Sequence, residues 1–146
     1  MNKTTAKANK LSISLDMEVA FFDVDSYRIV WHGNYPKYFE IARCKLLEHI
    51  DFTYEDMETA GYFFPVIDLQ VKYIQPLRFK QLFTITATLT EWENKLTIQY
   101  LIQDRDTGEK ITKAKTSQVA IAMPEHITQF TSPEILIDKV KVALEA

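Results

Sequence analysis

The stretch from Tyr35 to Ile50 restricts the possible fold more than any other part of this chain. Apolar residues recur there at spacings of three and four, and further apolar residues widen the stripe around most of a helix. The narrow polar side carries Lys37, Glu40, Arg43 and Glu48. Asn34 is a suitable N-cap, and Pro36 falls in the first turn, where its missing N–H is not needed. A helix this apolar is normally enclosed by other elements, so we expect it at the centre of the fold.

Alternation of apolar and polar residues predicts five strands around that helix. The first runs from Ile13 to Val19 and continues into 20–22, and the others lie near 67–73, 83–90, 96–103 and 111–123. The short links at 91–95 and 104–109 indicate an antiparallel meander. A short helix at 53–60 and a C-terminal helix that opens at Ser132 complete the chain.

These elements together define a fold class. A five-stranded sheet must bury one face, and the long helix is the only element apolar enough to fill it. The predicted class is therefore α+β, with a five-stranded antiparallel sheet wrapped around a long central helix and an added C-terminal helix. This is the hot-dog arrangement. We predict one domain over residues 11–146, preceded by a disordered tail over residues 1–10.

Composition excludes several classes of function. The formal net charge of −3 gives no electrostatic footprint for nucleic acid, and the longest apolar runs are too short to span a bilayer. The polar residues 1–10 do not resemble a signal peptide. Cys44 is the only cysteine, which excludes an internal disulfide and is typical of a reducing compartment. We therefore expect a cytoplasmic protein.

The loop before the long helix carries a distinctive pattern. Asp23 and Asp25 form an Asp-x-Asp pair, followed by a valine, an aromatic residue, a histidine and an Asn-Tyr pair. Those later positions are Val30, Trp31, His32, Asn34 and Tyr35. The pattern resembles the N-terminal motif of the 4-hydroxybenzoyl-CoA thioesterase family, including its bacterial acyl-CoA thioesterase branch. The segment "VKYIQPLRFKQLFTITATL" resembles the family's next strand pair, and the resemblance extends over roughly residues 12–123.

The chain departs from the family pattern at two positions. Many bacterial members carry a tyrosine four residues before the second Asp, where this chain has Phe21. The family usually has glycine three residues after that Asp, where this chain has Arg28. The first departure removes a hydroxyl group. The second replaces a residue that tolerates positive φ and close backbone approach.

The motif residues suit thioester hydrolysis. The reaction needs a carboxylate nucleophile or an activated water, together with donors for the carbonyl oxygen as it gains charge. Asp25 is the expected nucleophile or general base, and His32 could orient water, hold the thioester or protonate the leaving thiolate. The free N–H groups of the helix N-terminus, near His32 or Gly33, would polarise the carbonyl. The residues expected to bind the oxyanion or the substrate are Gly33, Phe21, Trp31 and Tyr35.

Other polar residues receive simpler interpretations. Asp23 fits a structural or solvated role, because acidic residues before a helix often serve only the helix dipole. Cys44 fits a buried structural thiol. His49 and His126 have no partner pattern and receive no role. No spacing of His, Cys, Asp or Glu resembles a metal site, so no metal and no cofactor is predicted.

The resemblance implies a hydrolase of acyl-CoA or acyl-carrier-protein thioesters. One alternative is a non-catalytic acyl-binding hot-dog protein. A hot-dog dehydratase is less favoured, because "HGNYP" does not match the "HFPGHP"-like loop of those enzymes. The predicted edge strand at 66–74 is long and carries few charges, so we expect it to pair with a second copy. We predict an obligate homodimer, or a tetramer of two such dimers, and the resemblance implies sites built from both chains.

Overall fold

The computed structural model describes residues 10–146 and centres on a five-stranded antiparallel sheet. Its strands are β1 (Ser12–Glu18), β3 (Val66–Tyr73), β4 (Leu82–Glu91), β5 (Leu96–Asp104) and β6 (Lys110–Gln118). The spatial order is β1-β4-β5-β6-β3. The antiparallel five-stranded sheet is therefore confirmed. The predicted meander holds for β4 to β6 only, because β3 pairs with the far side of β6 instead of with β4.

The last predicted strand, at 111–123, is wrong in its extent. β6 ends at Gln118, where the residues opposite it, Leu96 of β5 and Val66 of β3, are the first of their own strands. Beyond this point the chain has nothing left to pair with in the main sheet. It turns into a second, three-stranded sheet that sequence alternation did not indicate. That sheet consists of β2 (Tyr62–Phe63), β7 (Ile121–Ala122) and β8 (Ile127–Thr128).

The long helix α1 (Tyr35–His49) lies against the inner face of the sheet. Tyr38 packs its ring on Phe83 of β4 at a centroid distance of 5.1 Å, and Phe39 stacks on Tyr100 of β5 at 4.9 Å. The alternating apolar residues of β4 are completely buried beneath the helix. The central position predicted for this helix is therefore confirmed.

Two residues of α1 lie on the opposite side from their predictions. Arg43, assigned above to the polar side, is only 8% exposed. The buried guanidinium is stabilised by hydrogen bonds to two tyrosine hydroxyl groups. Nε donates to Tyr54 Oη at 2.7 Å, and Nη1 donates to Tyr100 Oη at 3.4 Å. Ile41 is one of the further apolar residues that widen the predicted stripe, but it is exposed.

Two further helices complete the described chain. α2 (Tyr54–Thr59) follows α1, and α3 (Glu134–Glu145) follows Pro133 near the C-terminus. Over residues 10–146, no helix is long and apolar enough to cross a membrane. Most of the predicted tail lies outside the described residues. Lys10 is its one described member, and its Nζ donates to the carbonyl of Leu144 at 2.9 Å.

Candidate active site

A cleft of about 350 Å³ lies where the N-terminal end of α1 meets the C-terminal end of β3. It brings together Asp25, His32 and Tyr35, three of the residues predicted to form the site. The complete lining is Asp25, Ile29, Val30, His32, Tyr35, Tyr73, Ile74, Gln75 and Pro76. Two larger cavities lie elsewhere in the chain, and neither is lined by a residue of the predicted motif.

Asp25 lies at the start of a tight loop. Val24 and Val30 form an antiparallel bridge, the amide of Asp25 donates to the carbonyl of Ile29 at 2.9 Å, and the amide of Arg28 donates to the carbonyl of Asp25 at 3.0 Å. Arg28 has a φ of 63°, in the left-handed region that glycine adopts most readily. Arginine at this position therefore keeps the backbone conformation that a glycine would favour.

The Asp25 side chain is held by one bond. Its Oδ1 accepts from the amide of Tyr27 at 2.8 Å, which fixes the orientation of a half-buried carboxylate. Oδ2 has no hydrogen-bond or ion-pair partner in the described part of the chain. This oxygen is therefore available to a water or a substrate in the cleft.

Asp23 has a different environment although it lies only two residues away. It is 4% exposed, its Oδ2 accepts from Tyr38 Oη at 2.8 Å, and its Oδ1 pairs with Lys37. Burial, together with the Asp23 carboxylate, raises the pKa of Tyr38 well above its usual value. Asp23 thus ties the loop to the first turns of α1 and does not line the cleft.

The N-terminus of α1 lacks the side-chain cap that the sequence predicted. Asn34 occupies the N-cap position, but its side chain makes no capping bond. Instead, its Nδ2 donates to the carbonyl of Asp23 at 2.8 Å. The Asn34 side chain therefore accepts no hydrogen bond from the N–H groups of the first helical turn. These groups carry the positive end of the helix dipole.

His32 begins a single 3-10 turn, His32–Asn34, directly before α1. Its carbonyl accepts from Tyr73 Oη at 2.8 Å, and the Tyr73 ring packs on Tyr35 at a centroid distance of 5.0 Å. Tyr35 Oη accepts from the amide of Leu77 at 3.1 Å, and burial raises the pKa of this hydroxyl. The sequence did not predict that residues at the end of β3 form one side of the cleft. The one feature that could have indicated it is the hydroxyl of Tyr73, which lies at the end of a strand just before Gln75 and Pro76.

Gly33 lies beneath the ring of its neighbour Trp31. A Cβ built at Gly33 would collide with the present position of that ring. Trp31 itself is half exposed beside the cleft, with its ring 5.3 Å from that of His32. Phe21 is not brought to the cleft within one chain. It is 76% exposed and packs its ring edge on Phe79.

Metal and thiol chemistry are the other possibilities that the residue types of this chain raise. Within residues 10–146, no three His, Cys, Asp or Glu side chains come together as a ligand set for a metal ion. Cys44 lies in the middle of α1, where burial raises the pKa of its thiol and disfavours the nucleophilic thiolate.

Sequence and structural relatives agree with this architecture. The model of the thioesterase-like superfamily matches residues 19–137. The chain is similar to "Putative acyl-CoA thioesterase YneP" of Bacillus subtilis, with 27% identity over 106 residues that span 73% of this chain and 77% of that one. In structure it is similar to Slr0204, a 1,4-dihydroxy-2-naphthoyl-CoA thioesterase from Synechocystis, with a TM-score of 0.78 and 16% identity over 91% of this chain and 95% of that one. It is also similar to SAV2348 from Staphylococcus aureus in complex with CoA, with a TM-score of 0.80 and 14% identity over 92% of this chain and 84% of that one.

The fold is therefore the hot-dog fold of thioesterases, and the predicted fold class is confirmed. The chain belongs to the thioesterase-like superfamily, because the match extends over most of its length. By this membership the protein is a thioester hydrolase.

Proposed function

We propose that this protein hydrolyses acyl-CoA thioesters at the cleft beside the N-terminus of α1, with Asp25 as the reacting carboxylate. One observation carries the proposal: Asp25 and His32 line the same cleft, next to a helix N-terminus that has no side-chain cap. A carboxylate with one free oxygen can act as base or nucleophile, and the positive end of a helix dipole stabilises the carbonyl oxygen as it gains charge, which are the two components that thioester hydrolysis requires.

In the simplest route Asp25 acts as a general base. Its carboxylate takes a proton from a water molecule, whose oxygen attacks the carbonyl carbon of the thioester. The carbonyl oxygen becomes negative and is stabilised by N–H groups of the first turn of α1. The C–S bond then breaks, the acyl group leaves as a carboxylic acid, and the thiolate takes the proton held by Asp25, either directly or relayed through the His32 ring.

A nucleophilic route uses the same residues. Here an oxygen of Asp25 attacks the carbonyl carbon and the thiolate leaves, which forms a mixed anhydride that water then opens. A single turnover in H₂¹⁸O distinguishes the routes. Label in the Asp25 peptide, read by mass spectrometry, would establish the nucleophile. Absence of label, together with no acyl-enzyme trapped by hydroxylamine, would establish the general base.

The substrate class is tested with a panel of thioesters assayed for release of free thiol. We expect turnover of acyl-CoA, and a matched acyl-carrier-protein series shows whether the carrier protein is also accepted. Neither departure removes a residue that lines the cleft, because Arg28 keeps a positive φ in the loop and Phe21 packs on Phe79. Binding of acyl-CoA with no release of thiol across the panel would nevertheless contradict the proposal. Release of water from a hydroxyacyl-CoA would indicate a dehydratase.

We also propose an obligate homodimer formed through β3. This strand is an edge of the sheet, with one neighbour only, and exposes apolar side chains. They are Val66, Ile67, Leu69 and Tyr73. Such an edge invites pairing with its own copy about a two-fold axis, which would give a ten-stranded sheet. The exposed aromatic loop that includes Phe21 would then be available to the partner's cleft.

Light scattering at micromolar concentration tests the assembly. We expect twice the chain mass of 17.0 kDa, or four times it if two dimers associate. Ile67→Lys should weaken the dimer, whereas Val142→Lys, at an exposed apolar residue of α3, should not. An active monomer of the wild-type chain would contradict both the dimer and the shared site.

We place the protein in the cytoplasm, because its single cysteine suits a reducing compartment. Fractionation of cells that express the full chain with a C-terminal tag would test this location. Recovery of the tagged chain in an extracellular or envelope fraction would contradict it.

A further inference from the structure

The outer face of the main sheet carries a groove of about 720 Å³ on the side away from α1. Four lysines line it, from β3 and from β6: Lys72, Lys110, Lys113 and Lys115. The rest of the lining is mainly neutral and includes Gln70, Thr86, Thr88 and Gln99. The complete chain has a net charge of −3, so the charge of this groove lining is opposite in sign to that of the whole molecule.

None of the four lysines of this groove, which we term the lysine groove, forms an ion pair within the described chain. No carboxylate among residues 10–146 lies within 4.0 Å of any of the four ammonium groups. Two acidic side chains on neighbouring segments accept hydrogen bonds from side-chain amides. Asp68 accepts from Gln70 at 3.0 Å, and Glu109 accepts from Gln75 at 3.5 Å.

The strand register adds a repulsive pair to this groove. Lys72 of β3 stands directly opposite Lys113 of β6, and Lys115 lies one step further along between Gln70 and Gln99. Like charges at directly opposed positions of an antiparallel pair destabilise the sheet. An arrangement of this kind is relieved when an anion binds between the ammonium groups.

The lysine groove and the active-site cleft share no lining residue, but they are lined by consecutive residues at the end of β3. Tyr73 and Gln75 line the cleft, while Lys72 and Lys110 line the groove. The Gln75 side chain joins the two, because its Nε2 donates to the carbonyl of Lys110 at 2.9 Å. Lys72 and Gln75 are three residues apart, which corresponds to at most about 10 Å of chain. A pantetheine arm, with its two amide units, is longer than this.

We propose that the lysine groove binds the phosphate groups of coenzyme A while the pantetheine arm passes over Gln75 into the cleft. The proposal rests on the proposed function, since it assigns the part of the substrate that does not react. Coenzyme A presents a diphosphate and a 3′-phosphate, and lysine ammonium groups bind phosphate as point charges. Edge pairing through β3 would extend the sheet in its own plane, so the outer face stays open in the proposed dimer.

The test compares one acyl group on three carriers. The double variant Lys113→Gln/Lys115→Gln should raise KM for acyl-CoA about tenfold, the effect expected for lost charge-assisted bonds. The increase should be smaller for the 3′-dephospho-CoA ester and absent for the acyl-pantetheine, which has no phosphate. The control is Lys141→Gln, at an exposed lysine of α3 away from the groove. It removes one positive charge, half as many as the double variant, and should leave KM unchanged for all three carriers.

Salt and direct binding provide two further measurements. Raising the ionic strength should raise the wild-type KM for acyl-CoA but not for acyl-pantetheine, because exposed charges are screened. Calorimetry with CoA alone should show about tenfold weaker binding by the double variant. The calorimetric measurement does not depend on turnover, so it tests CoA binding at the groove even if no thioester is hydrolysed.

Three outcomes would overturn the proposal. Equal KM changes for acyl-CoA and acyl-pantetheine would show that the variant disturbs the cleft and not a phosphate site. Unchanged CoA binding would remove the lysine groove from coenzyme A recognition while thioester hydrolysis stood. A loss confined to acyl-carrier-protein substrates would show that the groove receives an acidic protein surface instead.

Discussion

The N-termini of α1 and α2 are treated in opposite ways by this chain. At α2, Thr53 Oγ1 accepts from the amide of Asp56 at 3.2 Å, and the Asp56 carboxylate accepts from the amide of Thr53 at 3.0 Å, which completes a capping box. At α1, the N-cap residue Asn34 turns its amide group away to the carbonyl of Asp23. The cap at α2 stabilises the fold, whereas the N-terminus of α1 has no side-chain cap and lies beside a cleft that contains Asp25.

Burial explains why α1 tolerates an uncapped end. An N-cap contributes about 1 kcal/mol, whereas one buried aromatic or leucine side chain contributes about 1.5–3 kcal/mol. α1 buries seven residues, and α2 buries only Met57. A six-residue helix with so little packing depends on its cap. The comparison teaches that a missing cap on a well-buried helix is a candidate ligand site once a reactive side chain lies next to it.

The largest effect is expected at the open terminus. Asp25→Asn keeps the shape of the side chain and removes its charge, so kcat should fall at least about 100-fold, or about 2.7 kcal/mol in activation free energy. Thermal unfolding should be unchanged. Asp138→Asn, an exposed carboxylate of α3, is the matched control and should keep full activity. Near-normal turnover in Asp25→Asn would remove the residue from the mechanism.

A smaller effect is expected from crowding the same terminus. Gly33→Ala places a methyl group where the Trp31 ring lies, so the half-exposed ring must move. A shift of that kind beside the reacting carbonyl should lower kcat/KM about tenfold. Near-ultraviolet circular dichroism reports the Trp31 movement independently. A changed spectrum with unchanged kcat/KM would separate Trp31 and Gly33 from the site.

A change at the capped N-terminus of α2 should alter the free energy of unfolding but not the activity. Thr53→Ala removes one half of the capping box and should cost about 1 kcal/mol in the free energy of unfolding, measured with urea. Because α2 has no part in the cleft, kcat and KM should stay at wild-type values. Loss of activity in a folded Thr53→Ala variant would break the contrast between the two helices.

An effect on turnover smaller than those of Asp25→Asn and Gly33→Ala is expected from the His32 side chain. His32→Ala keeps the backbone amide and carbonyl, including the bond from Tyr73, and removes only the exposed ring. Turnover should fall several-fold, and less than in Asp25→Asn, if the ring positions water or protonates the thiolate. A kcat identical to that of the wild type would restrict His32 to its backbone role.

Sequence reasoning succeeded where a local period carried the information. The helical spacing from Tyr35 onward and the alternation in β4 each predicted an element, because burial imposes that period directly on the chain. It failed where the burial of a residue depends on contacts with residues that are distant in the sequence. Arg43 is buried because Tyr54 and Tyr100 accept from it.

The candidate site divides in the same way. Asp25 and His32 belong to one continuous motif, so the sequence alone placed them together. Tyr73 lies 41 residues from the His32 carbonyl that it contacts. The Asn34 side chain was assigned wrongly, because its acceptor, the Asp23 carbonyl, is set by the folded loop and not by any local pattern.

The central claim, that the uncapped N-terminus of α1 holds the reacting carbonyl, can be tested by amide chemical shifts. The inactive Asp25→Asn chain, labelled with ¹⁵N, would be titrated with a ketone analogue of an acyl-CoA that the wild type hydrolyses. We predict the largest shifts at the amides of residues 32–35 and none at 54–57, where the capping box closes α2. Shifts at the α2 terminus or around Phe63, with the amides of 32–35 unmoved, would contradict the account.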